Sequence, residues 1–214
     1  MINHSSQATV TEPPGATESG IIPWSWKGWK NEGVQGSIYL FIEGYAAPDP
    51  ITERINTTDS YGDKIAALYE RKGNDFVKYL RGSFAVVLWD ARSRKLILAT
   101  DHFGTRPLYY AKIGSRVAFA PRMSWFAAAS EIDKAVDPNS LYFYLNHSFI
   151  PAPFTIYKNI RRLEPGHALI RKSGTSTVKR YWDIVYEEKQ NLDESTAAAD
   201  LRESVQNSVR FASN

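Results

Sequence analysis

No cysteine occurs anywhere in this 214-residue chain. That absence excludes a disulfide framework, a thiolate metal site and a cysteine nucleophile together. It fits a reducing compartment, and a cytoplasmic location is the default expectation. Histidine is scarce as well: only His4, His102, His147 and His167, none spaced as metal ligands on a shared helix face. With no thiol to complete a ligand set, no metal site is expected. No apolar run approaches the ~18 residues of a membrane span. No basic segment followed by an apolar stretch opens the chain, so neither a membrane partner nor a secretory signal is read. A glycine-rich phosphate loop is also missing, so no cofactor, ATP included, is expected within these residues. The net charge of only +3 gives little support to a nucleic-acid partner, and none is expected.

What the sequence does hold is material for a core. It is 43% hydrophobic and 13% aromatic, ample for a packed domain. Residues 1–20 are small, polar and Pro/Gly-containing, and read as a flexible tail. Trp24, Trp26 and Trp29 follow, interleaved with Lys27 and Lys30. That mixture suits stacking on single-stranded bases, but its alternation also suits a strand, and packing is the preferred reading. Ser37–Ile42 is a strand with no wet face, ended by a loop over 46–51 carrying Pro48 and Pro50. Asp59 or Ser60 caps a helix from about Tyr61 to Arg71, stopped by Gly73. A short helix near 75–80 leads to strands at Phe84–Trp89 and Leu96–Ala99, then to a hairpin of Leu108–Lys112 with Arg116–Ala120. Ser124–Ala129 is a short helix. Asp137-Pro138 opens another, with Leu141, Tyr144, Leu145 and Ser148 on one face. Three short strands follow, near 156–163, 167–171 and 177–182. Asp193 caps a last helix to about Phe211, with a stripe of Leu201, Val205 and Val209.

The stretch LRGSFAVVLWDARSRKLILATDHFGTRPLYY, residues 80–110, resembles the amidotransferase half of asparagine synthetases. VDPNSLYFYLNHSFIPAPFTIYKNIRRLEPGHALI, over 136–170, is similar to the run that closes that domain, and Tyr181-Trp182-Asp183 also matches. The resemblance covers roughly Tyr61 to Arg210. It implies an α+β fold, an Ntn-hydrolase-like αββα sandwich of two antiparallel sheets between helix layers. It implies three parts: a tail over 1–20, an amidotransferase-like domain over 21–183, and a linker with the first helix of a synthetase domain over 184–214. The rest of that synthetase domain is the expected partner, in the same polypeptide. ATP and magnesium would belong to it, joining at a Ser-Gly-Gly-x-Asp-Ser loop that the sequence stops short of. Family members are often dimers, so a homodimer is a further possibility; no interface is readable from the residues.

The same resemblance implies a silent glutaminase. In the family a Cys at position 2 attacks glutamine while its own α-amino group shuttles the proton. Here that position is Ile2. Ser5, Ser6, Thr9 and Thr11 are read as ordinary hydroxyls. An Asn-Gly-Glu run that binds glutamine is matched by Ile42-Glu43-Gly44-Tyr45, without the Asn and with Glu and Gly reversed. A family Asp falls at Tyr61, with Asp59 close by. The signature Arg is Thr100, and an expected Ala-Ser-Glu reads Ala120-Pro121-Arg122. No catalytic, substrate-binding or metal-binding residue is therefore assigned. Asp101, Gly104 and Arg106 are the best-kept polar signature, read as an Asp–Arg pair stabilising a turn. The basic clusters at Arg92–Lys95, Arg161-Arg162 and Lys179-Arg180 are read as solvated surface. The resulting expectation is a degenerate, non-hydrolytic domain of an ATP-dependent amide ligase. The alternatives are a genuine glutamine- or ammonia-dependent asparagine synthetase with an altered N-terminus, or a non-enzymatic interaction module.

Overall fold

The computed structural model describes residues 13–21, 30–35, 37–49, 60–186 and 193–213. The chain forms two compact units, Met1–Trp182 and Asp183–Asn214. In chain order the first unit contains β1 (Lys30–Gln35), β2 (Ile38–Pro48), α1 (Tyr61–Lys72), β3 (Leu80–Asp90), β4 (Lys95–Thr100), β5 (Tyr109–Ile113) and β6 (Arg116–Ala120). It continues with α2 (Met123–Ala128), α3 (Pro138–His147), β7 (Ile160–Arg162), β8 (His167–Lys172) and β9 (Thr175–Arg180). A six-stranded sheet runs β1-β2-β3-β4-β8-β9 and a three-stranded sheet runs β6-β5-β7, antiparallel at every pairing.

The period-2 alternation of strands sorts the core into layers. On one face of the large sheet, Leu40, Ile42, Phe84, Val86, Leu88 and Ile97 meet Ile65, Leu68 and Tyr69 of α1 and Phe76 of the turn after it. On the other face, Phe41, Val87, Trp89, Leu96, Leu98 and Leu169 meet Leu108, Val117 and Phe119 around the small sheet. The far face of the small sheet, Ala111, Ala118 and Ile160, is covered by Phe126 of α2 and by Ile132. Helix, sheet, sheet and helix therefore stack as four layers. β3 has no solvent face along Phe84–Asp90 because it lies between two of them.

Local chemistry sets the ends of α1. Ser60 Oγ accepts from the Asp63 N–H at 3.3 Å and donates to the Asp63 carboxylate at 2.8 Å, a reciprocal cap. Gly73 ends the helix at a φ of +57°. The short helix expected near 75–80 is a 3-10 turn over Gly73–Tyr79. Asp90 folds the β3–β4 turn by accepting the N–H groups of Arg92 and Ser93 and the Ser93 hydroxyl.

Two expectations are corrected. The loop placed over 46–51 is strand up to Pro48, because β2 pairs with β3 as far as Leu80 opposite Pro48. Among the described residues β1 pairs with the other side of β2 only as far as Ile42, and proline is tolerated where a strand lacks a partner on one side. The tail assigned to 1–20 is docked over Pro13–Gly20. Ala16 and Ile21 are buried in the intersheet core, Trp89 Nε1 donates to Pro14 O, and the Val117 N–H donates to Gly20 O. Residues 1–12 and the Trp24, Trp26 and Trp29 segment lie outside the described residues.

α3 opens as its Asp137-Pro138 start requires, with the Asp137 carboxylate accepting the Asn139 N–H and the Ser140 hydroxyl. Its predicted face exists, yet only Ser140 of the helix is buried. In the second unit, α4 (Glu194–Ser213) is capped by Asp193, which accepts the Thr196 N–H and the Ser195 and Thr196 hydroxyls. Those bonds hold the Asp193 carboxyl well below the usual carboxylate range. Leu201, Val205 and Val209 are exposed. Among the described residues no helix is long and apolar enough to cross a membrane.

Candidate functional site

The residues that carry the sequence signature come together where the Glu43–Ala46 segment of β2 meets the start of β3 and the loop after β4. Gly44 pairs with Phe84 and Tyr45 with Ser83. The two strands approach so closely here that glycine is needed on both. A Cβ on Gly44 would sit 2.1 Å from Ser83 O, and one on Gly82 2.2 Å from Tyr45 O. Both backbones have positive φ, +96° and +132°. The absent side chain at Gly44 leaves room for Arg106, whose Nε would lie 3.0 Å from that Cβ.

Asp101 organises the loop. It is 2% exposed. Its carboxylate accepts the N–H groups of Phe84, Phe103 and Thr105 and the Thr105 hydroxyl, the last at 2.6 Å. The expected Asp101–Arg106 pair is corrected here: backbone donors and Thr105 take the carboxylate, and Arg106 turns outward over Gly44. Three N–H groups converging on one carboxylate satisfy it more completely than an exposed guanidinium. Ser83 Oγ lies 2.7 Å from Thr105 Oγ1. Since the Thr105 proton goes to Asp101, Ser83 donates to Thr105. This hydroxyl chain braces the loop. It does not activate Ser83, because the carboxylate at its end already accepts from three N–H groups.

At the position of the family Asp stands Tyr61, the first residue of α1, in edge contact with Tyr45 at a ring separation of 5.2 Å. Burial and the hydrogen bond to Tyr61 push the Tyr45 phenol up to about 12, so it stays protonated near neutrality. Two phenol rings thus occupy ground that the resemblance gives to a carboxylate. Thr100, at the signature Arg position, is fully buried and donates to Glu164 O at 2.7 Å. Pro121 is buried, and Arg122 begins α2 from the exposed side. Ile2, Ser5, Ser6, Thr9, Thr11 and Asp59 lie outside the described residues.

Behind the loop, His102 stacks on Trp182 at 4.6 Å, and Trp182 also meets Phe103 edge-on at 5.4 Å. Burial lowers the His102 pKa, outweighing the opposing pull of Asp101. Tyr181 donates to Thr100 O at 2.6 Å. His147 lies beside Phe149, and His167 Nδ1 contacts Pro165 O. Among the described residues no group of three or more His, Asp or Glu could hold a metal ion. Arg161 lies over the Phe154 ring and Arg162 donates to Gly104 O.

Arg171 is a polar residue that sequence reasoning missed. It is 6% exposed, and burial lowers its pKa. It donates to Gly174 O, Ser19 O and Ser115 O, tying two turns to the N-terminal segment. The signal was its place in HALIRK, two residues after buried Leu169 and so on the same strand face.

Comparison with known proteins decides what this arrangement is. The model of the glutamine amidotransferase domain matches residues 33–182. The chain belongs to that family. The glutamine-hydrolyzing asparagine synthetase 1 of Bacillus subtilis (strain 168) is 31% identical over 176 residues, 81% of this chain and 27% of its own length. Asparagine synthetase 3 of the same organism is 32% identical over 126 residues, 58% of this chain and 20% of its own. Amidase chyE of Penicillium rubens is 34% identical over 131 residues, 60% of this chain and 19% of its own. The amidotransferase domain seen here therefore spans about a quarter of the length of the curated relatives it matches. Its four layers and two antiparallel sheets are the αββα arrangement that the resemblance implies.

Proposed function

We propose that this amidotransferase domain is non-hydrolytic and serves as the scaffold half of an asparagine synthetase-like, ATP-dependent amide ligase. The observation that carries the reading is the pairing of Tyr45 with Tyr61 in a chain of 214 residues without cysteine. Hydrolysis of glutamine needs a nucleophile beside a base of matched pKa. The clustered residues supply a hydroxyl chain ending on a saturated carboxylate, a phenol held protonated, and an outward arginine. A glutamine carboxamide entering here would meet aromatic edges. ATP and magnesium belong, in this reading, to a synthetase domain in the same polypeptide, of which α4 is the first helix. The residues of this chain do not fit them: they hold no glycine-rich phosphate loop and, where described, no metal-binding cluster. The shared family and the resemblance of α4 support that assignment.

The test is a glutaminase assay. Purified protein incubated with millimolar glutamine should release no glutamate above a buffer blank. Release that scales with enzyme concentration would overturn the reading and favour a glutamine-dependent asparagine synthetase.

A further inference from the structure

Among the described residues β9 is the outermost strand of the six-stranded sheet, with no strand on its far side. It is joined to β8 by Ser173-Gly174, a two-residue turn with φ of +51° and +79°. Such a turn makes the flanking residues, Lys172 and Thr175, a hydrogen-bonded pair. Alternate residues share that orientation, so Thr177 and Lys179 also bond to β8. The N–H of Tyr181, next in the series, donates to Gly166 O at 2.8 Å, as that phase requires. The N–H and C=O groups of Ser176, Val178 and Arg180 therefore point away from the sheet. Among the described residues no backbone group bonds them there. Neither face of the strand is covered: every residue of β9 except Ser176 is exposed, Val178 included at 39%.

We infer that this edge takes a strand from another polypeptide, an extended segment rich in Asp and Glu. A row of open N–H and C=O groups is what strand addition uses. Charge selects the guest. No Asp or Glu occurs between Glu164 and Asp183, while Arg171, Lys172, Lys179 and Arg180 all fall there. Arg171 is committed to buried carbonyls, but Lys172, Lys179 and Arg180 are exposed. Behind them Lys95 of β4 stands directly opposite Lys172, so this end of the sheet is positive. The same charge disfavours a second copy. β9 against β9 would gather Lys179 and Arg180 from both chains on one seam, with no carboxylate from either hairpin between them. The chain's own continuation does not close the edge either. A hairpin return would need a strand directly after β9, and 181–186 forms none.

The experiment titrates the full chain with a labelled peptide of about eight residues in which Glu alternates with Val and Thr, read by fluorescence anisotropy and hydrogen exchange. Saturable binding below about 1 mM is expected. The amides of Ser176 and Val178 should exchange more slowly with peptide bound, a readout that needs no variant. Those of Thr177 and Lys179 should change little, since they already bond to β8. Val178→Pro removes an outward N–H and no bond to β8. Circular dichroism should stay unchanged while the peptide binds at least about fivefold more weakly, the worth of one backbone hydrogen bond. Lys179→Glu should weaken binding too, and should favour a peptide with Lys in place of Glu. No binding at about 1 mM overturns the proposal. So does binding that leaves the Ser176 and Val178 amides unchanged, that tolerates Val178→Pro, or that is equal for the Lys peptide. A single-stranded oligonucleotide or a second copy of the chain that protects those amides more strongly than the acidic peptide also overturns it.

Discussion

Replacing Asp101 by alanine tests how the signature loop is held. The substitution removes the acceptor of three backbone N–H groups and one hydroxyl. The Phe84 N–H is buried and would be left without a partner, a loss of about 1–3 kcal/mol. The Phe103 and Thr105 N–H groups are partly reached by water, and about 1 kcal/mol each is a fair allowance. The expected total is on the order of 3–5 kcal/mol. For a domain of this size each kcal/mol lowers Tm by about 2–4 °C, so the fall should be roughly 10 °C. Arg106→Ala is the informative companion. A turn held by an Asp–Arg pair would lose about as much from either substitution. The observed geometry gives Arg106 no part in holding the carboxylate, so its removal should shift Tm by no more than ~2 °C, as for an ordinary surface change. Thermal unfolding of the two variants in one buffer decides between these accounts. An Asp101→Ala protein melting within ~2 °C of wild type, or an equal loss from Arg106→Ala, refutes the reasoning.

Gly44→Ala forces a Cβ to 2.1 Å from Ser83 O at a φ of +96°, and should cost about 2–4 kcal/mol in a urea titration, with Gly82→Ala similar. His102 contributes a pH dependence with a defined sign. Burial lowers its pKa in the fold, so the unfolded imidazole takes up a proton first, near its ordinary value of about 6.5. The stability is present above that value and is lost as pH falls from it through the folded value. Wild type should therefore lose more Tm than His102→Gln between about pH 7.5 and about pH 5.5; parallel curves would exclude the stacked, half-buried ring as the cause. Arg171→Met removes the donor to three carbonyls and should speed hydrogen exchange over 13–21 before it affects β3. Arg171→Lys should not rescue this, since one ammonium lacks the planar fork. Unchanged exchange at 13–21 would dissociate Arg171 from the docking of that segment.

The sequence revealed elements whose signals are local. Ser60 and Gly73 bracket α1 because caps act within one turn. The run from Phe84 to Trp89 had to be buried on both faces, and it is, because no polar residue interrupts it. Less legible was anything set by distant partners. Pro48 looked like a strand breaker, and only the pairing of β2 with distant β3 carries the strand up to it. The segment 13–20 looked too polar to order. Ala16 within it and Ile21 just after it acquire meaning only beside Trp89 and Val117. In the candidate site, the departures at Ile42–Tyr45, Tyr61 and Thr100 were visible against the family pattern. The Tyr45–Tyr61 contact and the loss of the Asp101–Arg106 pair were not, because side-chain direction depends on the cross-strand approach at Gly44 and Gly82.

Arg171 also orders events in time. It reaches Ser19 across 152 positions of sequence. On the ribosome Pro13–Ile21 emerges well before the Arg171 guanidinium of β8 that helps fasten it. Until then Pro13–Ile21 is held only by Trp89 Nε1 on Pro14 O, by the Val117 N–H on Gly20 O and by the burial of Ala16 and Ile21. So long a closure forms late in folding, after nearer contacts have paid the entropy of bringing the ends together. The docking of Pro13–Ile21 is therefore complete only once β8 is in place.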